Sequence, residues 1–209
     1  DRDAVIEALN LELTSLQKTI LTQVTQDDHD FTTAVETATP GRLLLDIKRS
    51  GKYKCRGVKQ GFKENKELSD GPDFVYYSNV VKLNAVRVAL FKRRRRGRVT
   101  GIKDVSTAFL QSNPYPEGTV KYISFKHPIS GQWMYFRQSG PIYGEASAPA
   151  RWEQTIAPWL EEQGFKRGCN EPGVFYHSER DLLLLLYVDD LLAEGDRSDV
   201  EWIFNELEG

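Results

Sequence analysis

The sequence Tyr187-Val188-Asp189-Asp190 lies between two apolar stretches, Leu182–Leu186 and Leu191–Ala193. Short apolar runs of this kind are typical of buried strands, so the segment predicts a strand, a turn and a second strand. Adjacent carboxylates repel each other, and burying a carboxylate without a partner is costly. Because a divalent cation would offset both costs, the segment predicts that the two aspartates are ligands for Mg²⁺.

The alternative is an ordinary solvated hairpin turn, since Asp is common in turns. Two-residue hairpins, however, favour Gly or Asn at positions with positive φ. Neither Asp190 nor Leu191 is such a residue, so turn chemistry explains the pair poorly. A third carboxylate at another strand end would favour the metal site.

The bulk composition predicts an intracellular globular protein without a membrane partner. The 209 residues are 40% hydrophobic and 28% charged, which suits one domain or one lobe of a larger body. The longest apolar run, Leu182–Val188, is too short to span a bilayer, and no signal peptide opens the chain. Cys55 and Cys169 form no CxxC spacing and the three histidines are scattered, which argues against disulfides and a zinc site.

The net charge of −2 conceals a strong asymmetry along the chain. Residues 1–40 carry 2 basic and 8 acidic side chains, and residues 104–209 carry 8 basic and 17 acidic ones. Residues 41–103 carry 18 basic and 5 acidic side chains. A basic middle joined to an acidic half indicates a surface for a phosphate backbone beside a carboxylate metal site.

The local patterns predict an irregular mixture of helices, strands and hairpins. Predicted helices cover 3–24, 84–92, 107–111, 148–163 and 199–207. Predicted strands cover 43–47, 53–59, 99–103, 120–125, 133–136, 174–176 and 182–188, with loops over 26–40 and 64–73. Because strands and helices do not alternate regularly, the order favours an α+β fold over a doubly wound parallel sheet.

Asp104 supplies a third carboxylate at the end of a predicted strand. On its own, an aspartate in this position more often caps a helix or lies in a loop. If its strand is a neighbour of the strand that precedes Asp189 and Asp190, the three carboxylates converge. They would then hold two Mg²⁺ ions about 3.5–4 Å apart, as in-line phosphoryl transfer requires, with Mn²⁺ as an alternative.

The order of these motifs resembles that of copia-type retrotransposon reverse transcriptases, over nearly the whole chain. The motifs are Asp104 with Thr107-Ala108-Phe109-Leu110, then Tyr143-Gly144, Ala148-Pro149 and Trp152, and finally Tyr187-Val188-Asp189-Asp190. The resemblance implies the fingers and part of the palm of a right-hand polymerase, in which the palm is an antiparallel ferredoxin-like sheet with helices on one face. It implies an N-terminal helix and loop in 1–40, fingers in 41–85 and 113–141, and palm in 86–112 and 142–209, ending before a thumb and a ribonuclease H domain.

The resemblance also implies roles for the residues near the aspartates. Asp104 and Asp189 would ligate both metal ions, with Asp190 in support. Val105 would contribute a backbone contact to the metal and the nucleotide. The ions would activate the primer 3′-hydroxyl for attack on the α-phosphate of the incoming nucleotide and neutralise the leaving pyrophosphate.

Five further residues are implied to contact the nucleotide or the template. Lys54 and Arg56 would bind the triphosphate, although a solvated strand face is the alternative. Phe109 would pack against the sugar and disfavour a 2′-hydroxyl, although a core aromatic residue is equally compatible with its sequence context. Tyr143 and Gly144 would lie beneath the templating base and the nucleotide.

Four features of the sequence depart from the family pattern. Glu145-Ala146-Ser147 stands where the family usually has Leu-Lys-Gln, and Ala150 stands where it has a basic residue. Lys103 occupies a position that is usually apolar, from which it would pair with Asp104 or weaken metal binding. The run Arg93–Arg98 predicts a solvated helix end, with a nucleic-acid or nuclear-localisation signal as the alternative.

The sequence therefore predicts an RNA-directed DNA polymerase region. Its partners would be an RNA or DNA template with primer, deoxynucleoside triphosphates and the rest of a Gag-Pol polyprotein with its integrase and ribonuclease H, in a cytoplasmic particle or the nucleus. We expect the isolated 209-residue chain to be inactive. The alternative is a catalytically inactive relic that keeps the fold and at most binds nucleic acid, and a metal-dependent nuclease is a weaker third hypothesis.

Overall fold

The computed structural model describes residues 2–64, 70, 74–94 and 97–208. The helices in this part of the chain are α1 (Arg2–Thr19), α2 (Phe31–Thr37), α3 (Leu83–Lys92), α4 (Ala148–Glu162) and α5 (Arg197–Glu206), with 3₁₀ turns at Gly61–Lys63 and Ala108–Gln111. The strands are β1 (Leu21–Val24), β2 (Thr39–Ile47), β3 (Tyr53–Lys59), β4 (Arg98–Asp104), β5 (Lys121–Lys126), β6 (Trp133–Gln138), β7 (Lys166–Arg167), β8 (Val174–His177), β9 (Leu182–Tyr187) and β10 (Asp190–Asp196). The chain divides into two compact units. Unit 1 comprises residues 1–76 and 109–151, and unit 2 comprises residues 77–108 and 152–209.

Unit 1 is built on a five-stranded sheet with the order β1-β6-β5-β2-β3. Its pairs are antiparallel except for the short parallel contact between β2 and β5. Leu16 on α1 joins Ile123, Phe125 and Phe136 of the sheet in the main hydrophobic core. Burial of these side chains is the dominant stabilising contribution to the unit.

Two short elements of unit 1 differ from the sequence prediction. The predicted helix over 3–24 ends at Thr19, and Leu21–Val24 forms β1, which pairs with β6. The predicted loop over 26–40 contains α2 and the start of β2. Both differences arise from partners that are distant in sequence, because β1 buries Leu21 and Val24 and α2 buries Ala34. In the predicted loop over 64–73, residues 65–69 and 71–73 lie outside the described part of the chain.

Unit 2 is built on a fully antiparallel five-stranded sheet with the order β4-β10-β9-β8-β7. The antiparallel sheet was predicted, but helices cover both of its faces rather than one. Ala89 of α3 packs with Leu183 and Leu185, whereas Val200 and Phe204 of α5 lie over Gly101. Neighbouring residues of a strand place their side chains on opposite faces of the sheet. Leu185 is paired with Leu192, whereas Gly101 is paired with Ala193, the next residue of β10. The contact with α3 and the contact with α5 therefore lie on opposite faces.

No helix in the described part of the chain is both long and apolar enough to cross a membrane.

Candidate active site

The three aspartates that the sequence singled out lie at one end of the unit 2 sheet. Strand β10 pairs with β4 so that Asp190 is directly opposite Asp104. Residues directly opposite on antiparallel strands place their side chains on the same face, with Cβ atoms about 4.5–5.5 Å apart. The backbone N–H of Val105 donates to the carbonyl oxygen of Asp189 at 2.9 Å, which brings the residue after Asp104 against the turn. Asp104 and the Asp189-Asp190 pair therefore lie on neighbouring strands, although the neighbour of β4 is β10, which follows the turn, and not β9, which precedes it.

The turn between β9 and β10 consists of Val188 and Asp189, because Tyr187 pairs directly with Asp190. Val188 has φ of 56°, in the left-handed region that β-branched residues rarely adopt. The positive φ of this turn therefore falls on Val188, and not on Asp190 or Leu191. A tight hairpin does form here, and it forms with a residue that carries strain.

The donor atoms at this end of the sheet have the chemistry of a Mg²⁺ site. Mg²⁺ takes oxygen ligands, usually one or two carboxylates, and keeps water and substrate phosphates in its other positions. Asp104 and Asp190 are exposed and Asp189 is half-buried, which leaves room for such ligands. Within the described residues, no group of three or more His, Cys, Asp or Glu side chains is arranged to hold a metal ion. The backbone thus gathers the aspartates without closing their side chains into a three-ligand cluster.

Lys103 points away from Asp104. Its register partner is Leu191, and its ammonium group makes an ion pair with Glu208. Because neighbouring residues of a strand face opposite sides, the pairing with Glu208 keeps this positive charge on the face that does not carry Asp104.

The arginine-rich run ends in a buried residue rather than a solvated one. The Arg98 guanidinium donates to Glu194 at 2.5 Å and to Asp181 at 2.7 Å, and the Glu194 side chain is fully buried. The bond to Glu194 raises the pKa of Arg98. Arg93 and Arg94 at the end of α3 are exposed, in agreement with the predicted solvated helix end, whereas Arg98 belongs to β4 and Arg95 and Arg96 lie outside the described residues.

In unit 1, Lys54 and Arg56 project from the same face of the hairpin formed by β2 and β3. Lys54 is opposite Asp46 and Arg56 is opposite Leu44, and all four side chains are exposed. The other face of the hairpin packs on α1, where Glu12 accepts a hydrogen bond from the backbone of Gly57 at 2.7 Å. Because one face of the hairpin packs on α1, the side chains of Lys54 and Arg56 on the opposite face are accessible to a ligand.

Phe109 and Tyr143 also meet within unit 1. Their ring centroids are 5.0 Å apart, and both side chains are half-buried. The next residue, Gly144, has φ of 83°, and a Cβ atom there would lie 2.2 Å from the carbonyl oxygen of Lys59. Only glycine allows the chain after Tyr143 to approach β3 this closely, and the Lys59 N–H donates to the Tyr143 carbonyl at 2.7 Å.

Glu145 lies at the centre of a buried ionic cluster in unit 1. The cluster consists of Lys59, Glu64, Asp70, Lys121, Glu145 and Arg151. Lys121 contacts Glu145 at 3.1 Å and Asp70 at 2.7 Å, while Tyr115 and Gln138 donate to the Glu145 carboxylate. Three cations and three anions balance, so the cluster satisfies the requirement that buried charges be paired.

Ionisation of the two central carboxylates is favoured by this cluster. Burial acts to raise the pKa of Glu145, but the ammonium groups of Lys59 and Lys121 outweigh it and lower the pKa. Burial likewise opposes ionisation of Asp70, and its hydrogen bonds with Lys121 and Arg151 lower its pKa. The acidic residue that departs from the family pattern is therefore neutralised inside the fold.

The whole arrangement can be compared with known protein families. Residues 42–207 match the family described as reverse transcriptase (RNA-dependent DNA polymerase). The chain belongs to the reverse transcriptase family. Its predicted resemblance to retrotransposon reverse transcriptases is confirmed by this match together with two transposon relatives.

Two relatives of this reverse transcriptase chain are transposon proteins. It is 28% identical over 163 residues to a retrovirus-related Pol polyprotein from transposon TNT 1-94 of Nicotiana tabacum, a match covering 74% of the chain and 12% of that protein. It is 32% identical over 96 residues to a putative transposon Ty5-1 protein of Saccharomyces cerevisiae, covering 43% of the chain and 30% of that protein. The chain thus spans less than a third of the length of either relative.

A solved structure with a similar fold is the telomerase of Candida albicans in complex with a fragment of telomeric RNA. The TM-score is 0.51 at 12% identity, and the match covers 97% of this reverse transcriptase chain and 44% of the telomerase chain. At this identity the likeness concerns the fold alone. It confirms the predicted α+β fold of a right-hand polymerase.

Two features of this reverse transcriptase chain were not predicted from its sequence. The indole N–H of Trp152 donates to the carbonyl oxygen of Val188 at 2.7 Å, although the sequence marked Trp152 only as an apolar motif residue. Glu145 departs from the family pattern at a position predicted to contact nucleotide or template, whereas its side chain is buried and forms an ion pair with Lys121. A buried indole needs an acceptor, which signals that Trp152 has a partner, but the sequence does not say which one.

Proposed function

We propose that this chain is part of an RNA-directed DNA polymerase that adds deoxynucleotides to a primer 3′-hydroxyl on a nucleic-acid template. Membership of the reverse transcriptase family supports this reaction class. The observation that carries the proposal is the register of β4 with β10, which sets Asp104 opposite Asp190 and beside the turn that bears Asp189.

Asp104 and Asp189 would hold two Mg²⁺ ions, or Mn²⁺, with Asp190 in support and the Val105 backbone next to them. When bound, such ions activate the primer hydroxyl and neutralise the leaving pyrophosphate. The chain's own task is to present two carboxylates from separate strands at a fixed separation. The antiparallel pairing supports that role because it sets the side chains of Asp104 and Asp190 on one face, and the hydrogen bond from Val105 N–H brings Asp189 against the end of β4.

In unit 1, we assign Lys54 and Arg56 to the triphosphate of the incoming nucleotide, and Phe109, Tyr143 and Gly144 to its sugar and to the templating base. Exposed cations on one face of a hairpin support the first assignment, since phosphate recognition relies on such groups. The remaining partners would be a primed RNA or DNA template and further regions of a Pol polyprotein, such as integrase and ribonuclease H.

Primer extension by the full-length protein tests the proposal. Asp189→Asn should lower the rate of deoxynucleotide addition by at least about 10²-fold, because it removes a charge that stabilises the transition state. Asp27→Asn is the matched control, since Asp27 is exposed in a loop of unit 1, and it should leave the rate unchanged. Equal metal-dependent extension by the wild type and Asp189→Asn would contradict the assignment.

Two departures from the family pattern, Lys103 and Glu145 with its neighbours, favour the alternative of a non-catalytic relic. The ion pair of Lys103 with Glu208 and the pairing of Glu145 with Lys59 and Lys121 give both residues a role within the fold, which supports the proposed polymerase over the relic. Salt-dependent binding of a primer–template duplex without any extension by the full-length protein is the result that would favour the relic.

A further inference from the structure

The turn that bears Asp189 needs an external restraint to keep its conformation. Val188 has φ of 56°, and a β-branched residue persists in this region only where its surroundings over-determine the backbone. Without a restraint, the turn would relax towards an unstrained conformation and carry the Asp189 carboxylate with it. The bonds to the turn therefore help to set the direction of the Asp189 Cα–Cβ bond.

Both peptide groups that flank the Asp189 Cα atom are held by hydrogen bonds. The carbonyl of the preceding peptide, from Val188, accepts the indole N–H of Trp152 at 2.7 Å. The carbonyl of the following peptide, from Asp189 itself, accepts the backbone N–H of Val105 at 2.9 Å. Because a peptide group is planar, holding the planes on both sides of a Cα atom fixes the direction of its Cα–Cβ bond.

The helix that supplies Trp152 is itself anchored within unit 2. Trp152 is 4% exposed, and the next residue, Glu153, accepts the backbone N–H of Asn79 at 2.6 Å. Val80, which follows Asn79, forms a bridge with Tyr187 at the end of β9. Trp152 therefore contacts the turn directly, whereas Glu153 is connected to the end of β9 through Asn79 and Val80.

We propose that Trp152 is a positioning residue for Asp189, which its indole N–H holds in the orientation that binds the metal ion. This inference rests on the proposed function, because it assumes that Asp189 is a metal ligand. Trp152 does not touch the substrate in this proposal and acts only through the Val188 carbonyl. Loss of its N–H should weaken metal binding and lower kcat, and should leave the KM for the deoxynucleotide unchanged.

The test compares Trp152→Phe with Trp159→Phe, the same substitution two turns further along α4. Mn²⁺ affinity of this chain is measured by electron paramagnetic resonance, and kcat and KM by primer extension with the full-length protein. Trp152→Phe should lower Mn²⁺ affinity and kcat by about 10- to 100-fold, as expected for a residue that orients a metal ligand. Trp159→Phe should change neither quantity.

Two further variants separate positioning from a merely structural role. In a Val188→Gly background positive φ carries no steric cost, so the loss caused by Trp152→Phe should become smaller. If Trp152→Phe fails to fold, benzothienylalanine at position 152 keeps the ring shape and removes only the N–H, and it should reproduce the loss.

Each other outcome has a defined meaning. The inference is overturned if the folded Trp152→Phe or benzothienylalanine variant matches Trp159→Phe in Mn²⁺ affinity, even where its free energy of unfolding is lower. A wild-type protein that binds Mn²⁺ at these aspartates but extends no primer would instead overturn the proposed function. In that case, the Mn²⁺ measurement alone decides the role of Trp152.

Discussion

Phe109 and Tyr143 form an aromatic pair in unit 1, and we propose above that they contact the sugar and the templating base. Their centroid separation of 5.0 Å is within the range of favourable ring contacts, and each side chain is half-buried. The contact with Tyr143 restricts the directions that the Phe109 side chain can take.

We predict that Phe109→Val weakens discrimination against ribonucleotides. Removal of the ring opens space for a 2′-hydroxyl, and contacts of this size are worth about 10- to 200-fold in selectivity. The measurement is the ratio of kcat/KM for a deoxynucleotide to that for the matching ribonucleotide. Phe91→Val is the control because Phe91 is 69% exposed on α3, and an unchanged ratio in Phe109→Val would remove Phe109 from the sugar site.

At the scale of secondary-structure elements, the hairpin of β2 and β3 has one face that packs on α1 and one face that is exposed, because side chains alternate along each strand. Cys55 and Gly57 are buried against α1, whereas Lys54 and Arg56 are exposed on the opposite face. A one-residue slip in register would exchange the two faces. The hydrogen bond from Gly57 to Glu12 therefore also helps to keep the cations outward.

We predict that the double variant Lys54→Ala/Arg56→Ala raises the KM for the deoxynucleotide by at least about tenfold, because charge-assisted bonds to the triphosphate are lost. The fold should persist, since both side chains are exposed. Steady-state primer extension measures the effect, with Lys52→Ala in the turn of the hairpin as the control. If KM stays constant and only duplex binding weakens, these cations contact the template instead.

At the scale of the whole molecule, the buried ionic cluster centred on Glu145 joins six charged side chains of unit 1. It connects β3, β5 and the start of α4, which are far apart in sequence. Removal of one partner from a buried pair leaves an uncompensated charge. We predict that Glu145→Gln lowers the free energy of unfolding by about 3–5 kcal/mol, measured with urea at neutral pH. Glu36→Gln, at an exposed position of α2, should lower it by far less.

The same cluster determines how stability depends on pH. The folded pKa values of Glu145 and Asp70 lie below their ordinary values of 4.5 and 3.8. Their contribution to stability is therefore complete above the ordinary values and is lost as the pH falls through the folded values. The free energy of unfolding of the wild type, measured with urea, should fall steeply below about pH 4, and that of Glu145→Gln should fall less steeply. Equal slopes in the two proteins would show that other carboxylates dominate acid unfolding.

Elements with a strong local pattern could be predicted from the sequence, whereas those that depend on a distant partner could not. Strand β3 occupies its predicted range of 53–59, and α4 ends one residue before its predicted end. Strand β1 and helix α2 are short and owe their existence to contacts made far along the chain. The candidate site divides in the same way. The three aspartates could be found because Asp104 ends one apolar strand pattern and Asp189 and Asp190 lie between two others, but the bond from Trp152 to Val188 depends on tertiary packing.

The pairing of β4 with β10 has a consequence for synthesis of the chain. Asp104 leaves the ribosome long before Asp190, and strands β5 to β9 are made in between. Until β10 emerges, β4 lacks its sheet partner and Ile102 has no neighbour on β10, a state that favours association with other chains. The two carboxylates can thus meet only after β10 has been made, and a nascent chain that stops before β10 would be prone to aggregate.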